Sequence, residues 1–264
     1  MKKMKIKLFQ IDAFTDKVFS GNPAAVCILD KWIDKEKMQN IAAENNLAET
    51  AFVVRTDNDF EIRWFTPAVE VDLCGHATLA AAYVLFKYYD YEFDKINFHS
   101  HKSGLLSVER RDDALTLDFP TDIYEKTETP QVLIDAFGIT PKETYKGKTD
   151  YLLIFSNQTE VEELKPDLNL ITKVGGRGVI VSAQGQETDF VSRFFAPHAG
   201  IDEDPVTGSA HTTLTPVWSK KLKKKTLTAK QLSKRQGDLV CEYLGDRVKI
   251  TGKAVTYLIG EIEV

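Results

Sequence analysis

Cysteine is scarce in this chain. Its 264 residues hold three, Cys27, Cys74 and Cys241. Three is too few, and odd, for a disulfide framework, and the usage fits a reducing compartment. An excess of positive charge is missing too. The formal net charge is −5, which argues against the basic surface that non-specific nucleic-acid binding needs. Long apolar runs are absent. Met1-Lys2-Lys3-Met4-Lys5 is basic, but Lys7, Gln10 and Asp12 interrupt the residues that follow. Neither a signal peptide nor a transmembrane span is expected, membrane partners are excluded, and the default location is the cytoplasm. Two further absences narrow the chemistry. Gly175-Gly176-Arg177-Gly178 lacks the spacing of a dinucleotide loop and reads as a turn into a strand. His99 and His101 alternate on one strand with no third ligand in view, so no metal is expected.

What is present is ordinary for a globular protein, with 43% hydrophobic and 28% charged residues. The length suits one large domain or two of ~130 residues. The stretch from Val69 to Tyr83 organises the chain. It opens as a loop, and from Ala77 onward it is a helix former with almost no polar face. Such a helix belongs inside a domain. Its start, Cys74-Gly75-His76, offers free backbone N–H groups and the positive dipole end to an anion. Gly75 lets a ligand come close to the backbone.

The pattern occurs twice. Gly75 and Gly208 stand 133 positions apart (208 − 75). The same offset of 133 joins Gly104 to Gly237, Leu106 to Leu239, Glu109 to Glu242, Leu115 to Val248 and Leu117 to Ile250. Upstream, Arg63-Trp64-Phe65 answers to Arg193-Phe194-Phe195. A register held from a helix through two strands indicates two copies of one architecture. Two equivalent helix ends suggest one site between them.

Taken in order, strands are expected at Lys5–Phe14 and Ala24–Leu29 and a helix, capped by Asp34, from Lys35 to about Asn45. Strands at 51–55 and 61–66 lead to the central helix, about His76 to Tyr88, and three strands follow between Lys95 and Phe119. The polar segment Pro120–Thr129 reads as the linker and a hinge. The second copy opens with a helix over Pro130–Phe137 closed by Gly138. Its own central helix is expected at about Gly208–Lys220, with Lys220, Lys221 and Lys223–Lys225 as charges that complement the helix end. The domains are expected over 1–122 and 123–253. A last strand, about 254–264, is surplus to the second copy and free to return to the first.

Glu49 lies between a helix end and a strand, flanked by Leu47, Ala48, Ala51 and Phe52. Apolar neighbours disfavour a charged carboxylate, which suits proton shuttling; an exposed turn glutamate is the plainer alternative. His76 opens the first central helix, where the dipole disfavours an imidazolium, so a neutral ring is expected. Asp204 precedes Pro205 and is held extended. Glu203, Asp204, Thr207 and Ser209 all suit helix capping as well. Cys74 at a helix start invites a thiolate reading, against which stands a buried, inert thiol. A two-thiol racemase would need a matching cysteine at the repeat position, which is Thr207.

Together Gln10-Ile11-Asp12-Ala13-Phe14, Gly21-Asn22-Pro23-Ala24-Ala25-Val26, Asn46-Leu47-Ala48-Glu49-Thr50, Cys74-Gly75-His76-Ala77-Thr78 and Glu203-Asp204-Pro205-Val206-Thr207-Gly208-Ser209-Ala210 resemble the phenazine-biosynthesis-like (PhzF-type) isomerases, within the diaminopimelate-epimerase fold. The resemblance implies an α+β fold of two similar domains, each a curved mixed sheet or barrel around one helix. It implies a homodimer, no cofactor and a site in the cleft. It places the proton-transfer glutamate on Glu49 and supporting roles on His76, Asp204 and Ser209. Substrate-carboxylate contacts fall on the backbone at Gly75-His76 and Gly208-Ser209.

The expected function is that of an isomerase moving a proton within a small carboxylate-bearing substrate. The alternatives are an epimerase or racemase with unlike bases, and a small-molecule binding protein without turnover.

Overall fold

The computed structural model describes residues 4–89 and 91–264. The basic opening at residues 1–3 lies outside them. The chain forms two compact units. One takes the residues up to Asp118 together with Thr251–Val264, and the other is Phe119–Ile250.

The first unit runs β1 (Lys5–Ala13), β2 (Asn22–Leu29), α1 (Lys35–Asn45), β3 (Glu49–Arg55), β4 (Phe60–Phe65), β5 (Glu70–Val71), α2 (Gly75–Tyr88), β6 (Lys95–Ser100), β7 (Gly104–Arg111) and β8 (Ala114–Pro120). The second contains β9 (Glu125–Thr127), α3 (Gln131–Phe137), β10 (Glu143–Lys146), β11 (Asp150–Ile154), α4 (Gln158–Glu163), α5 (Leu168–Ile171), β12 (Gly178–Gln184), β13 (Phe190–Phe195), α6 (His211–Leu222), β14 (Thr226–Gln231), β15 (Gly237–Tyr243) and β16 (Arg247–Gly252). The last strand, β17 (Ala254–Glu263), belongs to the first unit.

Topology repeats as the sequence register does. In the first unit β2–β3 are parallel, β3–β4 antiparallel, β4–β6 parallel and β6–β7 antiparallel. In the second, β11–β12, β12–β13, β13–β14 and β14–β15 follow the same order of directions. The long helix enters within the third pair of strands each time, α2 between β4 and β6, α6 between β13 and β14. The architecture is α+β, a mixed sheet packed on one central helix in each unit.

The α2 helix is sequestered because almost every side chain on it is apolar. Gly75 to Ala82, Val84 and Leu85 are all buried, and the helix packs against β1, β2, β3, β7 and β17. Its burial removes Leu79, Val84 and Leu85 from water, worth roughly 1.5–3 kcal/mol for each such side chain. The surplus last strand pairs antiparallel with β1 along its length, Lys5 opposite Glu263 through Ala13 opposite Ala254. The pairing gives β1 two neighbours, since β2 lies on its other side.

Three local expectations are corrected. Asp34 sits at the N-cap of α1 but makes no side-chain cap bond; the helix ends on left-handed Asn46. The segment Pro120–Thr129 is not a free linker. It carries β9, which pairs with β10, and Asp122 accepts from Thr213 Oγ1 at 2.7 Å. The second central helix starts later than Gly208. Gly208–Ala210 form a tight turn, in which His211 N–H donates to the Gly208 carbonyl, and regular helix begins at His211.

Candidate active site

In the first unit, β2 and β3 run parallel with Ala24 opposite Glu49, so Asn22 and Glu49 both lie at the starting ends of adjacent strands. Glu49 is the first residue of β3 rather than part of a loop. The first turn of α2 brings His76 to the same place. His76 Nε2 lies 3.1 Å from Glu49 Oε2, Cys74 Sγ is 3.5 Å from His76 Nδ1, and the Asn22 carboxamide nitrogen is 3.1 Å from that same Nδ1. All four are buried, Glu49 with 9% of its surface exposed and His76 with 4%. Cys74 is the N-cap of α2 and gives no side-chain cap bond.

The electrostatics of His76 differ from the sequence expectation. Burial opposes an imidazolium, but the neighbouring Cys74 and Glu49 outweigh it and hold the His76 pKa well above the ordinary value. Burial pushes the Cys74 thiol up, and the Glu49 charge adds to that. Burial and Glu49 thus oppose a Cys74 thiolate, while the adjacent His76 favours one. The helix dipole alone pointed to a neutral imidazole; a carboxylate at 3.1 Å is the stronger field. The Asn22 carboxamide nitrogen faces Nδ1; an imidazolium would need that amide turned over, so that its oxygen accepts from the ring.

The second unit holds the other expected residues. Asp204 accepts from Thr207 Oγ1 across a short turn. Gln231 on β14 clamps that turn from below: its Nε2 donates to the Asp204 carbonyl at 2.8 Å and its Oε1 accepts from Thr207 N–H at 2.8 Å. Ser209 Oγ accepts from Arg177 Nη1 at 2.8 Å, and Arg177 is itself forked onto Asp150 through Nε and Nη2. His211 Nδ1 lies 2.8 Å from the Thr207 carbonyl. The structure thus joins Glu49 with His76, and Asp204 with Thr207, while Ser209 is held by Arg177.

Several of these supports escaped the sequence reading. Asn22 lay inside the Gly21-Asn22-Pro23 turn, and Arg177 inside a glycine-rich turn. The repeat carried a further signal. Arg63 forks onto Glu70 at 2.7 and 3.0 Å, and Arg193 forks onto Glu203 at 2.7 and 3.0 Å. Glu70 and Glu203 stand 133 apart (203 − 70) and each lies five residues before the glycine, Gly75 or Gly208. Each pair fixes the loop that delivers the chain to its glycine. The Arg63 hydrogen bonds hold the Glu70 carboxyl down at about 2. His99, read on a strand with no third metal ligand in view, meets Asp59 Oδ2 through its Nε2 at 2.9 Å.

Comparison with known proteins places this arrangement. The profile of the family described as phenazine biosynthesis-like protein matches residues 11–260. An uncharacterized isomerase of Pseudomonas aeruginosa is 49% identical over 259 residues, covering 98% of this chain and 99% of that protein. The human phenazine biosynthesis-like domain-containing protein is 40% identical over 287 residues, covering 98% and 99%. A crystal structure of a PhzF-family protein from Enterococcus faecalis superposes with a TM-score of 0.96 at 44% identity, covering 99% of this chain and 100% of that one. A hydroxyproline epimerase from Agrobacterium vitis shares the fold alone, with a TM-score of 0.66 at 11% identity, over 98% of this chain and 93% of that one.

Proposed function

The chain belongs to the phenazine biosynthesis-like family of isomerases, and from that premise we propose that Glu49 is its proton-transfer base. The observation that carries the reading is the buried contact of Glu49 with His76 at 3.1 Å. Glu49 takes a proton from an activated carbon of a small carboxylate-bearing substrate. The electron pair left behind becomes part of a shifted double bond, and the same carboxyl returns the proton to a second carbon. His76, held toward its charged form, supplies a donor to developing negative charge. Preorganised donors of this kind stabilise such charge in a water-poor site. Within the first unit, the backbone at Gly75-His76 offers donors to a substrate carboxylate. The step draws on no cofactor.

One observation favours a second reading. Cys74 is another proton carrier 3.5 Å from His76, so inversion at one carbon by unlike bases is the alternative outcome. A panel of unsaturated and cyclic carboxylic acids incubated with the enzyme in deuterated water decides. Deuterium at a new carbon with a moved double bond supports isomerisation, and deuterium at an inverted centre supports epimerisation. No exchange into any acid by folded enzyme contradicts both.

We place the protein in the cytoplasm as a homodimer. No helix among the described residues is long and apolar enough to cross a membrane. Support for association comes from the exposed apolar run Tyr257, Leu258 and Ile259 on β17, with Phe19 edge-on to Tyr257 at 5.7 Å. Light scattering is expected to give twice the chain mass of 29.8 kDa. Tyr257→Lys with Ile259→Lys is expected to give monomers, and an unchanged mass would remove this strand from the interface.

A further inference from the structure

Among the described residues, Glu49, Cys74 and His76 form a group of carboxylate, thiol and imidazole whose donor atoms all lie within 4.8 Å of one another. We propose that this group is a binding site for a thiophilic divalent cation, zinc above all, and that occupation switches the enzyme off by taking Glu49 out of proton transfer.

The donor set suits the ion. Thiolate, imidazole and carboxylate are the three ligand types that zinc takes, and three protein ligands leave a fourth position open to water or a substrate oxygen. With bond lengths of about 2.3 Å to sulfur and 2.0–2.2 Å to nitrogen or oxygen, a tetrahedral ion holds its donors roughly 3.3–3.6 Å apart. His76 Nε2 is 3.1 Å from Glu49 Oε2 and 4.0 Å from Cys74 Sγ, while Sγ lies nearer Nδ1, at 3.5 Å, so the thiol must turn toward the Nε2 side to complete the site. A second observation points to a ligand. Glu49 Oε2 is buried and, despite its nearness to His76, meets no donor in hydrogen-bonding geometry.

Charge balance agrees. A buried dication needs compensation, and Glu49 with a Cys74 thiolate supplies two negative charges. The positive end of α2 repels a bare cation, but the assembled site is neutral. A bound dication also overturns the local preference of Cys74 for its thiol form, since a coordinating thiol is deprotonated outright. Asn22 completes the arrangement. Its carboxamide nitrogen lies 3.1 Å from His76 Nδ1, and with the amide turned over its oxygen would accept the Nδ1–H and leave Nε2 for the metal. Such outer partners orient ligating histidines.

Cobalt is the spectroscopic probe. The metal-free protein titrated with Co²⁺ is expected to bind one equivalent, with visible d–d absorption of a four-coordinate ion and a near-ultraviolet thiolate-to-metal band that Zn²⁺ abolishes on displacement. Cys74→Ser and Cys74→Ala are both expected to lose the charge-transfer band, and His76→Gln to weaken Zn²⁺ at least ~10-fold. Cys241→Ala, altering a buried thiol of the other unit, is expected to leave the band intact. These readouts need no substrate, so they stand or fall separately from the proposed isomerisation. Where an exchanging acid has been found, Zn²⁺ is further expected to stop exchange and a chelator to restore it. No stoichiometric cobalt binding, a six-coordinate spectrum without the thiolate band, or the same band in both Cys74 variants would overturn the site.

Discussion

At the scale of single residues, the two buried histidines near the helix starts have been tuned in opposite directions. His76 faces a carboxylate and is biased toward its charged form. His211, packed against Phe190 and fully buried, has none, and burial lowers its pKa from 6.5 to about 4. Folding therefore favours neutral His211. The stability from this residue is complete above the unfolded value near 6.5 and is lost as pH falls through about 4. Two and a half decades of affinity for a proton correspond to on the order of 3 kcal/mol. His211→Gln is expected to be less stable than wild type at pH 7 and to approach or pass it by pH 4. Urea unfolding at a series of pH values measures the difference, which cancels the acid sensitivity common to both proteins. A difference independent of pH would show that His211 carries no such linkage. The sequence located His76 at the helix start and pointed to a neutral ring, because the deciding neighbour, Glu49, is distant along the chain.

At the scale of elements, the helix starts are held by what precedes them. The matched Arg63–Glu70 and Arg193–Glu203 forks tie each loop to the strand behind it, and α2 is then fixed by its apolar surface. Leu79 has no exposed surface. Leu79→Ala is expected to cost about 2–5 kcal/mol, from lost transfer energy and the cavity left inside the sheet. Denaturant unfolding measures it, and a loss below about 1 kcal/mol would mean that the sheet closes over the gap. Helix α2 was legible almost to the residue, since a stretch with almost no polar face after Cys74-Gly75-His76 admits few alternatives. Helix α6 was less so. Its opening turn at Gly208–Ala210 is tight and non-regular, and glycine does not announce on which side of it a helix begins. The β9 strand was missed because three exposed polar residues, Glu125–Thr127, carry no hydrophobic alternation to read.

At the scale of the molecule, the duplicated plan was visible in the offset of 133 between Gly75 and Gly208, and each copy builds the same succession of strand directions. The pairing of β1 with β17 joins residues about as far apart as the chain allows, which spacing alone could suggest but not establish. Family membership was legible because the motif stretches span nearly the whole chain in order. The substrate was not, since backbone amides at a helix start recognise a carboxylate without specifying what bears it. The central claim is that this chain moves a proton within such an acid through Glu49. The most direct measurement is the rate of solvent-deuterium incorporation by Glu49→Gln, with binding of the same acid followed in parallel by calorimetry. The account predicts binding within a few fold of wild type and incorporation slowed by at least 10²–10⁴-fold, the range for loss of a general acid–base group. Incorporation by folded Glu49→Gln at near-wild-type rate would contradict it.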